Sequence, residues 1–255
     1  VTAAGPRLIG CRVHALDEVD STQTYLARLA ADGAPEGTVV IARHQTAGRG
    51  RRGRSWWDAP GQSLLLSVLL RPGRPAADAP QLSLVAGLAV SEALERAAGV
   101  GAQLRWPNDV LVGGRKIAGI LPEAASRADG TLLHVILGIG INVRQAAFPQ
   151  SVGQPATSLR LATGRDHDPA LLREMLLERL DDRYREWLAG GFGPLRPLWR
   201  SRWAIADRAF TMPDGRAGVA EDVDQDGALL ARAPDGRLVR VLSWDPEEES
   251  HATRH

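Results

Sequence analysis

Lysine is nearly missing from this chain of 255 residues: its 31 basic side chains are thirty arginines and the single Lys116. Guanidinium carries the positive charge elsewhere, so the one surviving compact ammonium is a candidate for a task that a planar fork performs badly. Cysteine is equally scarce. The lone thiol, Cys11, excludes an intrachain disulfide framework and a zinc cluster built from cysteines, which makes a reducing compartment the natural setting. Cys11 itself reads as a small apolar filler rather than a nucleophile. Long apolar runs are absent too: Leu64–Leu70 falls far short of the roughly 20 residues of a membrane helix. No basic segment followed by an apolar core opens the chain, so no secretory signal and a cytoplasmic location are expected. Excess charge is also lacking. A formal net charge of +1 argues against a general nucleic-acid coat, and any basic site must be local. The sequence has no Gly-x-x-x-x-Gly-Lys-Ser/Thr phosphate loop, no Gly-x-Ser-x-Gly elbow and no metal-ligand spacing among its histidines.

What is present is concentrated between Gln45 and Trp57, in Gln-Thr-Ala-Gly-Arg-Gly-Arg-Arg-Gly-Arg-Ser-Trp-Trp. Gly48, Gly50 and Gly53 let the backbone bend and approach a ligand closely. Arg49, Arg51, Arg52 and Arg54 supply fixed positive charge, while Trp56 and Trp57 add stiff apolar surface. The combination suits an anion. Its glycine spacing also matches the dinucleotide fingerprint, but that motif should open a helix, and here Asp58-Ala-Pro-Gly61 and an apolar run follow. A merely solvated arginine loop is the plainer alternative.

Around this loop the elements alternate. A helix capped by Asp20 or Ser21 runs through Tyr25, Leu26 and Leu29 to Gly33, and Thr38–Arg43 reads as a strand leading into the loop. Ser63–Leu70 is a strand apolar on both faces, and Pro80–Gly99 an amphipathic helix. Gly113-Gly114 turns a hairpin between residues 103–112 and 115–121, with Lys116 aimed towards Asp109 or a ligand. Thr131–Val143 is a long strand in which Gly138 and Gly140 either floor a pocket or mark a packing bulge. Asp168-Pro169 opens the longest helix, closed by Gly190-Gly191, and Pro194–Arg202 forms a short helical piece. From Arg208 onward, Pro213-Asp-Gly, Asp226-Gly and Pro234-Asp-Gly punctuate short alternating runs, which predicts a small all-β unit. The division expected is residues 1–205, 206–246 and a disordered tail at 247–255.

An arginine loop, one lysine and an Asn-Asp pair after Trp106-Pro107 suit a reaction that brings two anions together. Attack of a carboxylate on a phosphate needs charge neutralisation and alignment rather than elaborate proton transfer. Four ordered stretches, Gln45–Trp56, Arg105–Leu111, Lys116–Leu121 and Gly138–Asn142, resemble the successive motifs of biotin protein ligases. The resemblance spans about Asp17–Asp245.

The resemblance implies an α+β fold: a mixed sheet with packing helices, like class II synthetases, followed by a small SH3-like β-barrel. It implies ATP and biotin as substrates with Mg2+, a biotinyl-5'-AMP intermediate, and transfer to a lysine of the biotin carboxyl carrier domain of an acyl-CoA carboxylase. By position, Ser21, Thr22, Gln23, Gln45, Arg49, Gly50, Arg51 and Lys116 would meet biotin. Arg49, Arg51, Trp56, Asn108, Lys116 and Asn142 would border the nucleotide. Arg51, Lys116 and Asp109 carry the catalytic expectation, Arg51 by retaining the intermediate and Asp109 by binding metal or receiving the acceptor lysine's proton. Three positions depart from the family pattern: Gln23 for asparagine, Arg105 for lysine, and Pro122 in the strand before Glu123. Val1–Asp17 is too short for the helix-turn-helix domain of some members, so an enzyme without nucleic acid or membrane as partner is expected, monomeric or homodimeric. A lipoate or octanoate ligase is the near alternative, and an arginine-loop nucleic-acid-binding module the distant one.

Overall fold

The computed structural model describes residues 7–204, 209–212 and 215–242. Its main body is a seven-stranded mixed sheet in the order β1-β2-β3-β7-β6-β5-β4. The strands β1 (Arg12–Val19) and β2 (Thr38–Gln45) run parallel, joined by helix α1 (Thr22–Ala31). Ser21 caps that helix by accepting from the Gln23 N–H at 3.3 Å. The apolar stripe of α1 buries Leu26 and Ala30 against Val40 of β2, Leu69 of β3 (Ser63–Leu70) and Ile136 of β7 (Leu132–Asn142). A fully buried leucine of this kind stabilises by about 1.5–3 kcal/mol.

The opposite face holds the larger core. Helix α2 (Gln81–Ala98) lays Leu82, Val85, Leu88 and Ala89 on it, and α4 (Pro169–Gly190) packs behind with Leu172, Leu176, Leu180 and Trp187. Asp168 caps α4 through the Ala170 N–H at 2.9 Å, with Pro169 at the first turn. With cover on both sides, β3 is buried along its whole length, which explains its unbroken apolar run. Between β7 and α4 lies the short α3 (Leu159–Thr163).

Two expectations need correction. The first hairpin arm, read as continuous over 103–112, is divided into β4 (Gln103–Arg105) and β5 (Asp109–Val112) by a turn containing a cis Trp106–Pro107 bond. Proline has no N–H to give to a ladder, and the turn it makes puts Arg105 opposite Asp109. Cys11 is no buried filler: it is exposed, and its thiol donates to the Glu36 carbonyl at 3.4 Å. Strand β6 (Arg115–Ser126) passes straight through Pro122, which pairs with Leu137 only, because β5 pairing ends at Gly119. The missing N–H therefore breaks no bond to β5.

After α5 (Arg196–Ser201), a separate four-stranded antiparallel sheet is built from β8 (Ala209–Thr211), β9 (Ala217–Val223), β10 (Leu229–Arg232) and β11 (Leu238–Val241). Its β9–β10 turn touches the main body. Trp106 Nε1 donates to the Gly227 carbonyl at 2.9 Å, and a Cβ at Gly227 would sit 2.8 Å from Leu84, so the approach requires glycine. Residues 205–208 of the expected boundary, Pro213-Asp214 and the expected tail lie outside the described residues. No helix among the described residues is long and apolar enough to cross a membrane.

Candidate active site

A cavity of about 560 Å³ opens on the α1 side of the sheet, a size suited to a small-molecule ligand. Its floor is made of glycine. Gly140 and Gly119 are register partners, as are Gly138 and Leu121. A Cβ on Gly140 would meet the Trp56 ring at 2.6 Å, one on Gly119 the same ring at 2.9 Å, and one on Gly138 the Gln23 amide at 2.7 Å. The strand glycines thus mark close approach of side chains to the sheet rather than a bulge.

The inner end is set by the start of α1. Gln45 Oε1 accepts from both the Thr22 N–H at 2.8 Å and its hydroxyl at 3.0 Å, and that hydroxyl also meets Ser67 Oγ at 2.8 Å. Gln23 lies over Gly138 and donates from Nε2 to the Leu121 carbonyl at 3.1 Å. Ser21 is spent on the cap and does not line the cavity.

The glycine-arginine loop forms the upper wall. It folds on itself through the bonds Gly50 N–H to Arg54 O at 2.7 Å and Trp56 N–H to Gly48 O at 2.9 Å. At its crest Arg52 adopts a left-handed conformation, with φ of 55°, a geometry uncommon outside glycine. Two side chains tie the crest to the sheet: Arg51 Nη1 donates to Asn108 Oδ1 at 3.2 Å, and Arg49 pairs with Glu123 at 2.5 Å. Asn108 is itself held by its Nδ2 donating to the Ile120 carbonyl at 2.9 Å.

Lys116 stands at one side, its Nζ 2.8 Å from Asp109 Oδ1 and 5.8 Å from the Trp56 ring centre. Arg105 Nη2 takes the other carboxylate oxygen at 2.5 Å. Burial alone would raise the Asp109 pKa, but the Lys116 and Arg105 charges and hydrogen bonds outweigh it and hold the carboxyl below the usual carboxylate range. Asn142 lines the far end, donating to the Thr157 carbonyl at 3.0 Å. Thr22, Gln23, Gln45, Arg49, Gly50, Arg51, Trp56, Asn108, Asp109, Lys116 and Asn142 thus share one cavity.

Sequence reasoning assigned no role to Gly119, although it sits inside a quoted motif, nor to the segment after β7. Phe148, Val152, Gly153 and Gln154 form the wall facing the loop, and Phe148 meets Trp57 edge-on at 5.7 Å across the mouth. Gln154 accepts from Arg105 at 2.9 Å. An apolar ring in a polar loop, flanked by Pro149 and Gly153, was the available signal.

An arginine-bearing loop over a glycine floor, with a lysine on a buried carboxylate, presents concentrated positive charge to a bound anion. Residues 15–142 match the biotin/lipoate A/B protein ligase family. The chain is 40% identical over 237 residues to the bifunctional ligase/repressor BirA of Bacillus spizizenii, covering 91% of this chain and 72% of that protein. It is 39% identical to the biotin--[acetyl-CoA-carboxylase] ligase of Paracoccus denitrificans, covering 88% and 95% of the two. The structure of biotin protein ligase from Aquifex aeolicus in complex with biotin and ATP superposes with a TM-score of 0.79 at 32% identity, covering 91% of this chain and 96% of that one. The chain belongs to the biotin/lipoate A/B protein ligase family, among its biotin protein ligases.

Proposed function

We propose that the chain joins biotin to a lysine of a biotin carboxyl carrier domain in two half-reactions. Biotin and ATP give biotinyl-5'-AMP and pyrophosphate, and the carrier lysine then displaces AMP. The observation that carries the reading is Lys116: the chain's single ammonium lines a cavity with Arg49, Arg51 and Arg54 and is oriented by Asp109 at 2.8 Å. That set neutralises a carboxylate and an α-phosphate at once, and charge neutralisation with alignment is most of what this attack needs. In this reading Thr22, Gln23 and Gln45 hold the biotin head group and Ser21 fixes the helix that presents them. Arg49, Gly50, Arg51 and Lys116 bind the biotin carboxylate. The nucleotide lies along Arg49, Arg51, Trp56, Asn108, Lys116 and Asn142. Arg51 retains the intermediate, and the loop is a lid that excludes water. Residues 1–205 form the catalytic unit and 206–246 an SH3-like unit in the same proposal.

The residues do not fit a protein-built magnesium site. Asp109 is the sole carboxylate lining the cavity among the described residues, and both of its oxygens face cations. No group of three metal-ligating side chains occurs among them. Magnesium would arrive on the ATP phosphates, and no proposed step uses a protein-held metal. With its carboxyl engaged in this way, Asp109 is assigned to orienting Lys116.

Biotin-dependent ATP/pyrophosphate exchange tests the reading. Exchange stimulated by biotin, followed by transfer of label to a carrier domain, is expected; a response to lipoate or octanoate and none to biotin would overturn it. The cytoplasm as location, and a monomer or homodimer as the working form, belong to the proposal. Sedimentation with and without biotin and ATP checks the latter.

A further inference from the structure

A second groove, of different chemistry, lies at the neck of the glycine-arginine loop. His44, at the end of β2, and Asp58, just past the loop, meet with His44 Nδ1 2.9 Å from Asp58 Oδ2. The Asp58 side chain is 1% exposed, and its other oxygen, Oδ1, is buried with no hydrogen-bond partner. Both residues line a groove of about 390 Å³ that shares Gln45, Ser55, Trp56 and Trp57 with the main cavity. His44 precedes Gln45, which closes the inner end of the main cavity through Thr22, so the two spaces adjoin along the end of β2.

The charges of the two spaces are opposite. Arg49, Arg51, Arg54 and Lys116 line the main cavity, whereas among the described residues neither lysine nor arginine lines the groove. Glu18 of β1 is the register partner of His44, and the nearby Arg43 is turned to Asp17 at 3.8 Å. An ammonium is repelled by the first space and drawn to the second by the charge of the Asp58 carboxylate set in its wall. The second half-reaction also needs a proton acceptor, because the carrier lysine arrives as an ammonium and must attack as an amine. Among the described residues no histidine lines the main cavity, and Asp109 is held by two cations.

We infer that the groove admits the ammonium of the carrier's acceptor lysine and that His44, oriented by Asp58, takes its proton. The inference rests on the ligase reading given above. With Nδ1–H donated to Asp58, His44 Nε2 carries the free lone pair. It accepts one proton from the lysine. The amine lone pair then attacks the acyl carbon of the adenylate, the bond from that carbon to the phosphate oxygen breaks, and AMP leaves with the electron pair. The second proton, on the new amide nitrogen, passes to solvent, as does the proton on His44, and the base is regenerated.

The test separates the half-reactions in His44→Gln, which keeps a polar group near Asp58. Three rates are measured: biotin-dependent ATP/pyrophosphate exchange, transfer from preformed biotinyl-adenylate to a biotin carrier domain, and capture of that adenylate by hydroxylamine, which is neutral at pH 7 and needs no base. Exchange and hydroxylamine capture are expected within twofold of wild type, while transfer to the carrier falls about 100-fold. Transfer at the wild-type rate, or a parallel fall in all three, would overturn the role of His44. Asp58→Asn keeps the shape and removes the charge; it is expected to raise the KM for the carrier with exchange intact, and an unchanged KM would overturn the groove as the lysine's entrance. Absence of biotin-dependent exchange in the wild-type protein would instead strike the ligase reading itself.

Discussion

Trp56 lies directly over Gly140, so close that a methyl group on that glycine would stand 2.6 Å from the indole. The backbone of β7 and the ring are in contact with nothing between them, which fixes the height of the loop above the sheet. Gly140→Ala should push the ring upward, costing about 1–3 kcal/mol through overpacking and weakening ATP binding at least tenfold. Thermal melting and calorimetric titration check the two effects separately.

Lys116→Arg should damage exchange far more than its conserved charge suggests. The ammonium sits 2.8 Å from Asp109 with Arg105 already on the other oxygen, so a forked guanidinium has neither room nor a free carboxylate edge. A loss of about 10²-fold in kcat is expected, in line with removal of one preorganised electrostatic donor. Steady-state exchange kinetics decide it; wild-type rates would show that a guanidinium serves this position as well as the ammonium does.

Asp109→Asn should leave two cations facing each other and destabilise the fold by roughly 3 kcal/mol. The pH dependence has a definite sign. The carboxyl pKa is depressed in the folded state, so its stabilisation is present above the ordinary carboxylate range and is lost as pH falls through the lower folded value. Denaturant titrations at neutral and acidic pH should show this acid-side component in the wild type and not in the variant.

Arg51→Ala should release adenylate into solution faster than the parent, because its bond to Asn108 is one of the ties that hold the loop's crest against the sheet. Asn108→Ala, which removes the acceptor and leaves the arginine, should reproduce part of the effect. Stopped-flow release of preformed biotinyl-adenylate measures both, and unchanged retention in the two variants would reject the lid role.

Gln23→Asn should remove a group that lies over Gly138 and bonds the Leu121 carbonyl. The shorter amide opens the inner end of the cavity by about one methylene, and the expected outcome is improved use of analogues enlarged on the ring system relative to biotin. Competition assays with such analogues provide the comparison.

Where one physical signal dominated, the fold was legible. The unbroken apolar run at Ser63–Leu70, the stripe of α2, and the Asp168-Pro169 opening of α4 each admit one reading. The edge strand β1 did not, because most of it faces water and Asp17, Glu18, Arg12 and His14 conceal any alternation. The site was readable where its residues cluster in sequence, as at 45–57 and 105–121. His44 and Asp58 escaped because they are 14 positions apart and meet only when the loop between them folds back. Phe148 escaped because nothing local says which wall a lone ring in a loop will join.

One consequence of the half-buried Lys116 reaches beyond the site. Biotinyl-adenylate is a reactive mixed anhydride, and any molecule that leaks will acylate primary amines nearby. The protein's side chains offer a single such amine, 17% exposed and fastened to Asp109; the arginines around it present guanidinium groups that resist acylation at neutral pH. A chain handling an indiscriminate acylating agent thus carries almost nothing for that agent to mark, which leaves the lysines of other proteins as its targets.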